Sequence, residues 1–109
     1  MNIRLNATVF AARWALTLLD RVMARLRGEF ARARKKELFE AIKGTLTGDA
    51  PAYADIARTL QSTEGAVKVA LHRLRERYRA AIREEIAETV ENAAEVEDEV
   101  RHLLAVLSR

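Results

Sequence analysis

The chain has 109 residues, no cysteine and a net charge of +3, which suits one small domain without disulfide bonds or thiolate metal sites. Half of the residues are hydrophobic, but no segment predicts a membrane span or a signal-peptide core, so we expect a cytoplasmic protein. Low glycine content and a single proline favour helix throughout. The predicted fold is therefore all-α, a small helical bundle.

The charge is distributed unevenly along the chain. Residues 1–36 carry a net charge of +7, residues 37–83 carry +2, and residues 84–109 carry −6. A basic body favours an anionic partner, and nucleic acid is the usual one. The acidic end does not share that preference.

The first predicted helix spans about residues 7–27, and Gly28 either ends it or lets it run on toward Phe30. Its apolar stripe is either core or a dimer face. Residues of the stripe recur every three to four positions: Phe10, Trp14, Leu18, Val22 and Leu26.

The basic run at residues 32–36 is either a solvated segment or a patch that contacts phosphate or polymerase.

A second helix and the clearest break in the chain follow. The second helix has four inward apolar positions, and Gly48 and Pro51 then interrupt the pattern. We expect Asp49 to cap the third helix and Pro51 to lie in its first turn. The inward positions of the second helix are Leu38, Phe39, Ile42 and Leu46.

A helix-turn-helix is predicted over about residues 52–79. The third helix spans about residues 52–60, Gln61 and Ser62 form a tight turn, and Thr63 is the N-cap of a fourth helix that begins at Glu64. A plain αα-hairpin is the alternative. The inward apolar positions are Ile56, Ala57 and Leu60 on the third helix, and Val67, Ala70, Leu71, Leu74 and Tyr78 on the fourth.

The fourth helix is predicted to continue without a break to about Val90, and residues 91–93 form a bend. An acidic amphipathic helix over about residues 93–108 ends the chain. It either packs on the body or masks the DNA-binding surface. Its apolar stripe consists of Val96, Val100, Leu103, Leu104 and Leu107.

Enzyme chemistry is poorly represented. There are two histidines, no cysteine and no glycine-rich phosphate loop, so we expect no catalysis, no cofactor and no metal. The Glu99-Val-Arg-His102 segment has the spacing used by di-metal helical bundles, but it occurs once, in the acidic tail.

Three segments, residues 53–57, 63–68 and 71–75, resemble region 4 of bacterial extracytoplasmic-function sigma factors. The resemblance implies binding of double-stranded promoter DNA at the −35 element and contact with the β flap of RNA polymerase core. The first and final helices are candidate contacts for polymerase or an anti-sigma factor. Lys68, Arg73 and Arg75 are the best candidates for phosphate and guanine contacts. The full set of predicted DNA-binding residues is Thr63, Glu64, Ala66, Lys68, Val69, His72, Arg73, Arg75 and Arg77.

The remaining cations of the fourth helix and Gly65 have two interpretations each. The cations either contact DNA phosphates or pair with the acidic tail; they are Arg77, Arg79 and Arg83. Gly65 either only weakens the helix or leaves room for DNA to approach the backbone closely.

The chain departs from the family pattern in three places. Gln61 stands where glycine is usual, and we expect it to adopt, at a cost, the left-handed backbone that such a turn favours. Val69 and Ala70 stand where many members carry Ser and Arg. No segment resembles region 2, so we expect one sigma-factor domain, part of a longer chain or encoded alone, that binds DNA without initiating transcription. The alternatives are a stand-alone helix-turn-helix regulator, and a protein-interaction module that an anti-sigma factor binds or that self-associates.

Overall fold

The computed structural model describes residues 3–48 and 52–108, and it describes no side chain for residues 3–9 and 47. Every regular element in this part of the chain is helical, which confirms the all-α prediction. A 3₁₀ segment (Lys43–Thr47) directly follows the second helix. The five α-helices are α1 (Ile3–Arg32), α2 (Lys36–Ile42), α3 (Tyr53–Thr59), α4 (Glu64–Ala87) and α5 (Glu95–Leu107).

Helix α1 runs through Gly28 and beyond Phe30 to Arg32. Leu26 is completely buried just before Gly28, and the Phe30 ring packs against Phe39 just after it, with 5.3 Å between ring centroids. Glycine inside a helix costs about 1 kcal/mol relative to alanine. Packing on both sides of Gly28 outweighs that loss, and the helix continues.

The C-terminal end of α1 is a Schellman motif with an arginine at the left-handed position. Arg34 has a φ of 60°, its N–H donates to the Ala31 carbonyl at 3.1 Å, and the Lys35 N–H donates to the Phe30 carbonyl at 2.7 Å. Glycine usually occupies this position because it has no Cβ to clash. The sequence pattern did not indicate a left-handed residue here.

The predicted second helix is present as α2 and the 3₁₀ segment. Phe39 and Ile42 are completely buried, while Leu38 and Leu46 are half-buried, so the predicted inward face is confirmed. Gly48 follows the 3₁₀ segment as its C-cap, and its φ of 112° suits glycine.

The predicted cap of the third helix falls on Asp49 and Pro51, which lie outside the described residues. Helix α3 begins at Tyr53, with Ala52 as N-cap and no side-chain cap hydrogen bond.

Helix α4 is the predicted long helix, and it ends at Ala87, three residues before the predicted end. The Thr89 N–H and Oγ1 both donate to the Ile86 carbonyl, at 2.9 and 2.8 Å, so the threonine occupies an acceptor at the helix end. The Ala94 N–H donates to Asn92 Oδ1 at 2.9 Å. Bends at residues 91 and 92 confirm the predicted bend before α5.

The backbone divides into two compact units, each containing parts of the long helices. Unit 1 consists of the described residues within 1–24 and 80–109, and unit 2 consists of the described residues within 25–79. The expectation of one sigma-factor-like domain stays a prediction.

The buried cluster of unit 1 combines residues from α1, α4 and α5. Ala15, Leu18, Ile86 and Leu103 are buried together, so the predicted packing of the acidic helix is confirmed. The suggestion that this helix also masks a DNA-binding surface stays a prediction. Partly buried side chains that pack on the cluster are Trp14, Ile82, Val90, Val96, Val100 and Val106.

The apolar stripe of α1 changes in exposure along the helix. Leu18, Val22 and Leu26 are buried, Trp14 is half-buried and Phe10 is 70% exposed. The core interpretation therefore holds for the later part of the stripe. The dimer-face interpretation stays a prediction for Phe10.

Candidate nucleic-acid interface

The connection from α3 to α4 repeats the geometry found at the end of α1. Gln61 has a φ of 53°, the Gln61 N–H donates to the Arg58 carbonyl at 3.3 Å, and the Ser62 N–H donates to the Ala57 carbonyl at 2.8 Å. These two bonds form a second Schellman motif. The left-handed backbone predicted for Gln61 is confirmed, at a cost of roughly 1 kcal/mol relative to glycine.

Thr63 is the N-cap of α4, as predicted. Its Oγ1 accepts a hydrogen bond from the Ala66 N–H at 3.1 Å, and its carbonyl accepts one from the Val67 N–H at 3.0 Å. Glu64 lies in the first turn, where a carboxylate interacts favourably with the helix dipole. The turn and the cap together fix where α4 begins.

Gly65 has open space around its Cα. A Cβ built there meets only Thr63 Oγ1, at 4.0 Å. Packing among the described residues therefore does not require glycine at this position. The space is free for an external group to approach the backbone.

One side of α4 packs within unit 2. Val67, Leu71 and Leu74 of α4 are buried, as is Ala57 of α3, while Ala70 and Tyr78 are half-buried. This pattern confirms the predicted inward face. Burial raises the pKa of the Tyr78 hydroxyl above its usual value.

The opposite side of α4 is exposed. We call it the α4 face, and it contains one large apolar side chain, Val69, which is 50% exposed. Arg75 lies at its margin and is half-buried. The α4 face consists of Glu64, Lys68, Val69, His72, Arg73 and Glu76.

The cations of the α4 face differ in their local partners. The Lys68 ammonium lies 5.2 Å from the centroid of the Tyr53 ring, and His72 Nε2 lies 3.1 Å from Glu76 Oε1. Arg73 and Arg75 form no ion pair with any described residue. Arg73 is therefore the exposed cation of this face that is most available to an outside ligand.

Arg77 is held by a partner that spacing along α4 does not reveal. Its Nε and Nη2 donate to the two carboxylate oxygens of Glu29, at 3.0 and 2.5 Å, and both side chains are about 30% exposed. The hydrogen bond from Arg77 holds the pKa of Glu29 below its usual value. Arg77 thus joins α4 to α1 inside unit 2, a role that its predicted DNA contact did not include.

Arg83 pairs with the acidic tail, one of the two alternatives predicted for it. Its Nε lies 2.9 Å from Glu97 Oε1, and its Nη2 lies 3.4 Å from Oε2. The hydrogen bond from Arg83 lowers the pKa of Glu97, and the same bond raises the pKa of Arg83.

The basic run between α1 and α2 borders a concavity that the sequence did not reveal. Arg34, Lys35 and Lys36 line a depression of about 610 Å³ together with Leu60 and Ser62 from the α3–α4 connection. The remaining lining residues are Glu37 and Leu38.

The described residues contain neither a cluster of metal ligands nor a helix that could span a membrane. No group of three or more His, Cys, Asp or Glu side chains there is arranged to hold a metal ion. His102, whose spacing from Glu99 suggested a ligand pair, stacks on Trp14 with 5.2 Å between ring centroids. None of the helices in the described parts of the chain is both long and apolar enough to span a membrane.

Comparison with known proteins finds no match: no family model, no curated protein and no solved structure matches this chain.

Proposed function

We propose that this chain binds promoter −35 DNA as the region 4 domain of an extracytoplasmic-function sigma factor and helps to place RNA polymerase. The observation that carries the proposal is the α4 face, which presents Lys68, His72 and Arg73 on the exposed side of a helix whose other side is buried. In a helix-turn-helix, such a face enters the major groove.

The N-terminal end of α4 supports the proposal. In helix-turn-helix proteins the first residues of the second helix read base edges. Here Thr63 caps that end, and the open space at Gly65 leaves room for the DNA backbone. Val69 has half of its surface available for apolar contact with a thymine methyl.

Roles for the individual cations follow from their surroundings. Arg73 has the geometry to bind two acceptors on guanine or to clamp a phosphate. Lys68 acts as a point charge toward phosphate. Arg77 contributes by holding α4 against α1 through Glu29. The other cations make the direct contacts with DNA.

Selection from a pool of randomised duplex DNA at two salt concentrations tests this function. We expect a recovered motif whose affinity falls as salt rises, because phosphate contacts release counterions. Binding without a motif that disappears at higher salt would reject sequence-specific recognition. The β flap and an anti-sigma factor would then be the ligands to test.

A protein-interaction module is the second candidate, and a specific observation favours it. Four of the exposed large hydrophobic side chains lie in unit 1: Phe10 at 70%, Leu16 at 61%, Leu104 at 58% and Leu107 at 48% exposure. Exposed apolar side chains of this size mark protein contacts when they form a continuous patch. Sedimentation of the wild-type chain and of Phe10→Asp tests self-association, since a concentration-dependent dimer should be weakened by the substitution.

A further inference from the structure

Three consecutive cations, Arg34, Lys35 and Lys36, form what we call the basic edge. All three side chains are exposed, and none forms an ion pair with any described residue. They lie at the same concavity as Ser62, which belongs to the connection that leads into α4. The chain therefore places unpaired positive charge beside the turn of the proposed DNA-binding segment, within unit 2.

The backbone at the two sides of this concavity has the same construction. Arg34 and Gln61 are the non-glycine residues with positive φ among the described residues, and each occupies the left-handed position of a Schellman motif. The residue after each one, Lys35 and Ser62, lines the concavity. The C-terminal ends of α1 and α3 thus place a lysine and a serine at the same concavity.

Arginine is an unfavourable choice for the backbone at position 34. A left-handed residue is strained unless it is glycine, so the conformation itself does not explain the side chain. Strain at such a position is a reason to look for a role of the side chain. The structural alternative is that the cation interacts with the C-terminal dipole of α1.

We propose that the basic edge binds the phosphate backbone of duplex DNA, next to the bases read by the α4 face. This inference rests on the proposed function and extends its footprint to the α1–α2 connection. The arginine fork suits a phosphate, the two lysines add point charges, and the Ser62 hydroxyl is a further donor. Glu37 is the one carboxylate among the lining residues, so the concavity keeps a net positive charge.

Substitution of both lysines tests the inference through salt dependence. Lys35→Gln with Lys36→Gln should lower the slope of log K against log salt by about 1.8, since each lost phosphate contact contributes about 0.9. The affinity loss should be equal for the selected duplex and for an unrelated duplex, because phosphates carry no sequence information. Arg13→Gln with Arg21→Gln is the matched control, since it removes the same charge from exposed positions of unit 1.

Each outcome bears on the inference separately from the proposed function. If the wild-type chain selects a motif but the lysine variant equals its control, the basic edge is overturned and the proposed function stands. If the wild-type chain binds without a motif and the lysine variant still loses slope, the basic edge stands and sequence-specific recognition fails. If the wild-type chain binds no duplex DNA, or binds inorganic phosphate as tightly as DNA, the basic edge as a DNA site is overturned.

A glycine substitution separates the role of the charge from the role of the backbone. Arg34→Gly should raise the melting temperature by relieving the left-handed strain, and it should lower the salt slope by about 0.9. Gln61→Gly is the matched control, because it relieves the same strain at the other turn without a change of charge. It should raise the melting temperature and keep the salt slope. Arg34→Gly with unchanged DNA binding would overturn the role of Arg34.

Discussion

The α4 face and the basic edge of unit 2 and the acidic helix α5 of unit 1 are all densely charged, but they differ in how their charges are paired. In unit 2, the α4 face and the basic edge hold cations such as Arg73, Lys35 and Lys36 that form no ion pair with described residues. In unit 1, the acidic helix α5 pairs carboxylates internally, with Glu97 bound by Arg83 and Asp98 bound by Arg101.

This difference shows that a high density of charged residues in a sequence does not tell how many of those charges are available to bind a ligand. Arg73 and Arg77 lie four residues apart on α4, yet Arg73 is open while Arg77 is held by Glu29. Only the fold distinguishes a cation that stabilises the protein from one that remains available for a ligand. Four sets of substitutions test which side chains stabilise the fold and which remain available to a ligand.

Removal of buried leucines should have the largest effect in both units. Leu71→Ala in unit 2 and Leu103→Ala in unit 1 should each lower the free energy of unfolding by about 2–5 kcal/mol, because each leaves a cavity. Urea unfolding followed by circular dichroism measures the loss. Val69→Ala on the α4 face is the control and should change stability by less than about 0.5 kcal/mol. A loss below about 1 kcal/mol for either leucine would contradict its place in a packed core.

Gly65→Ala should separate stability from DNA binding. A Cβ at this position fits into open space, so the substitution should raise helix stability by up to about 1 kcal/mol. It should weaken binding to the selected duplex about tenfold, or about 1.4 kcal/mol, if DNA lies close to this backbone. Thermal unfolding and a binding titration measure the two effects. Unchanged affinity would show that DNA does not approach Gly65.

Arg77→Gln should destabilise the fold by about 1 kcal/mol, because it removes a charge-assisted pair that solvent partly screens. The effect should depend on pH. Since the folded pKa of Glu29 is lowered, the pair stabilises the protein fully above the usual glutamate value of 4.5 and progressively less as pH falls below it. Unfolding of wild type and variant from pH 7 down to about pH 3 measures this convergence. A difference in stability that grows as pH falls would contradict the assignment.

Arg83→Gln should have the smallest effect of the four. Its pair with Glu97 is more exposed than the Arg77–Glu29 pair, and exposed ion pairs contribute little. The loss in melting temperature should be smaller than for Arg77→Gln and should shrink as salt rises. Parallel melting curves of the two variants at two salt concentrations test the ranking, and an equal or larger loss for Arg83→Gln would reverse it.

The features of the fold that depend on neighbouring residues could be predicted from the sequence. The Thr63 cap, the left-handed Gln61 and the course of α4 all follow from residue type and spacing over one or two turns. The end of α4 at Ala87 was not predicted, because it depends on the hydrogen bond from Thr89 to the Ile86 carbonyl. The spacing of apolar residues carries no information about that bond.

Contacts between distant residues could not be predicted in the same way. Glu29 and Arg77 are 48 residues apart, and no local pattern joins them. Helix α1 passes Gly28 because Phe30 packs on Phe39, a residue of another helix. The concavity at the basic edge depends on two separate turns, so residues 32–36 alone left their role open.

Recognition of DNA by the α4 face is tested by the affinity of the double variant Lys68→Glu with Arg73→Glu for the duplex selected by the wild-type chain. Both side chains lie on the exposed side of α4, so the fold measured by circular dichroism should remain intact. Arg13→Glu with Arg21→Glu is the control with the same change of net charge. We expect loss of binding and of sequence preference for the α4 variant, with binding retained by the control. Equal binding by both variants, with intact folds, would contradict recognition of DNA through the α4 face.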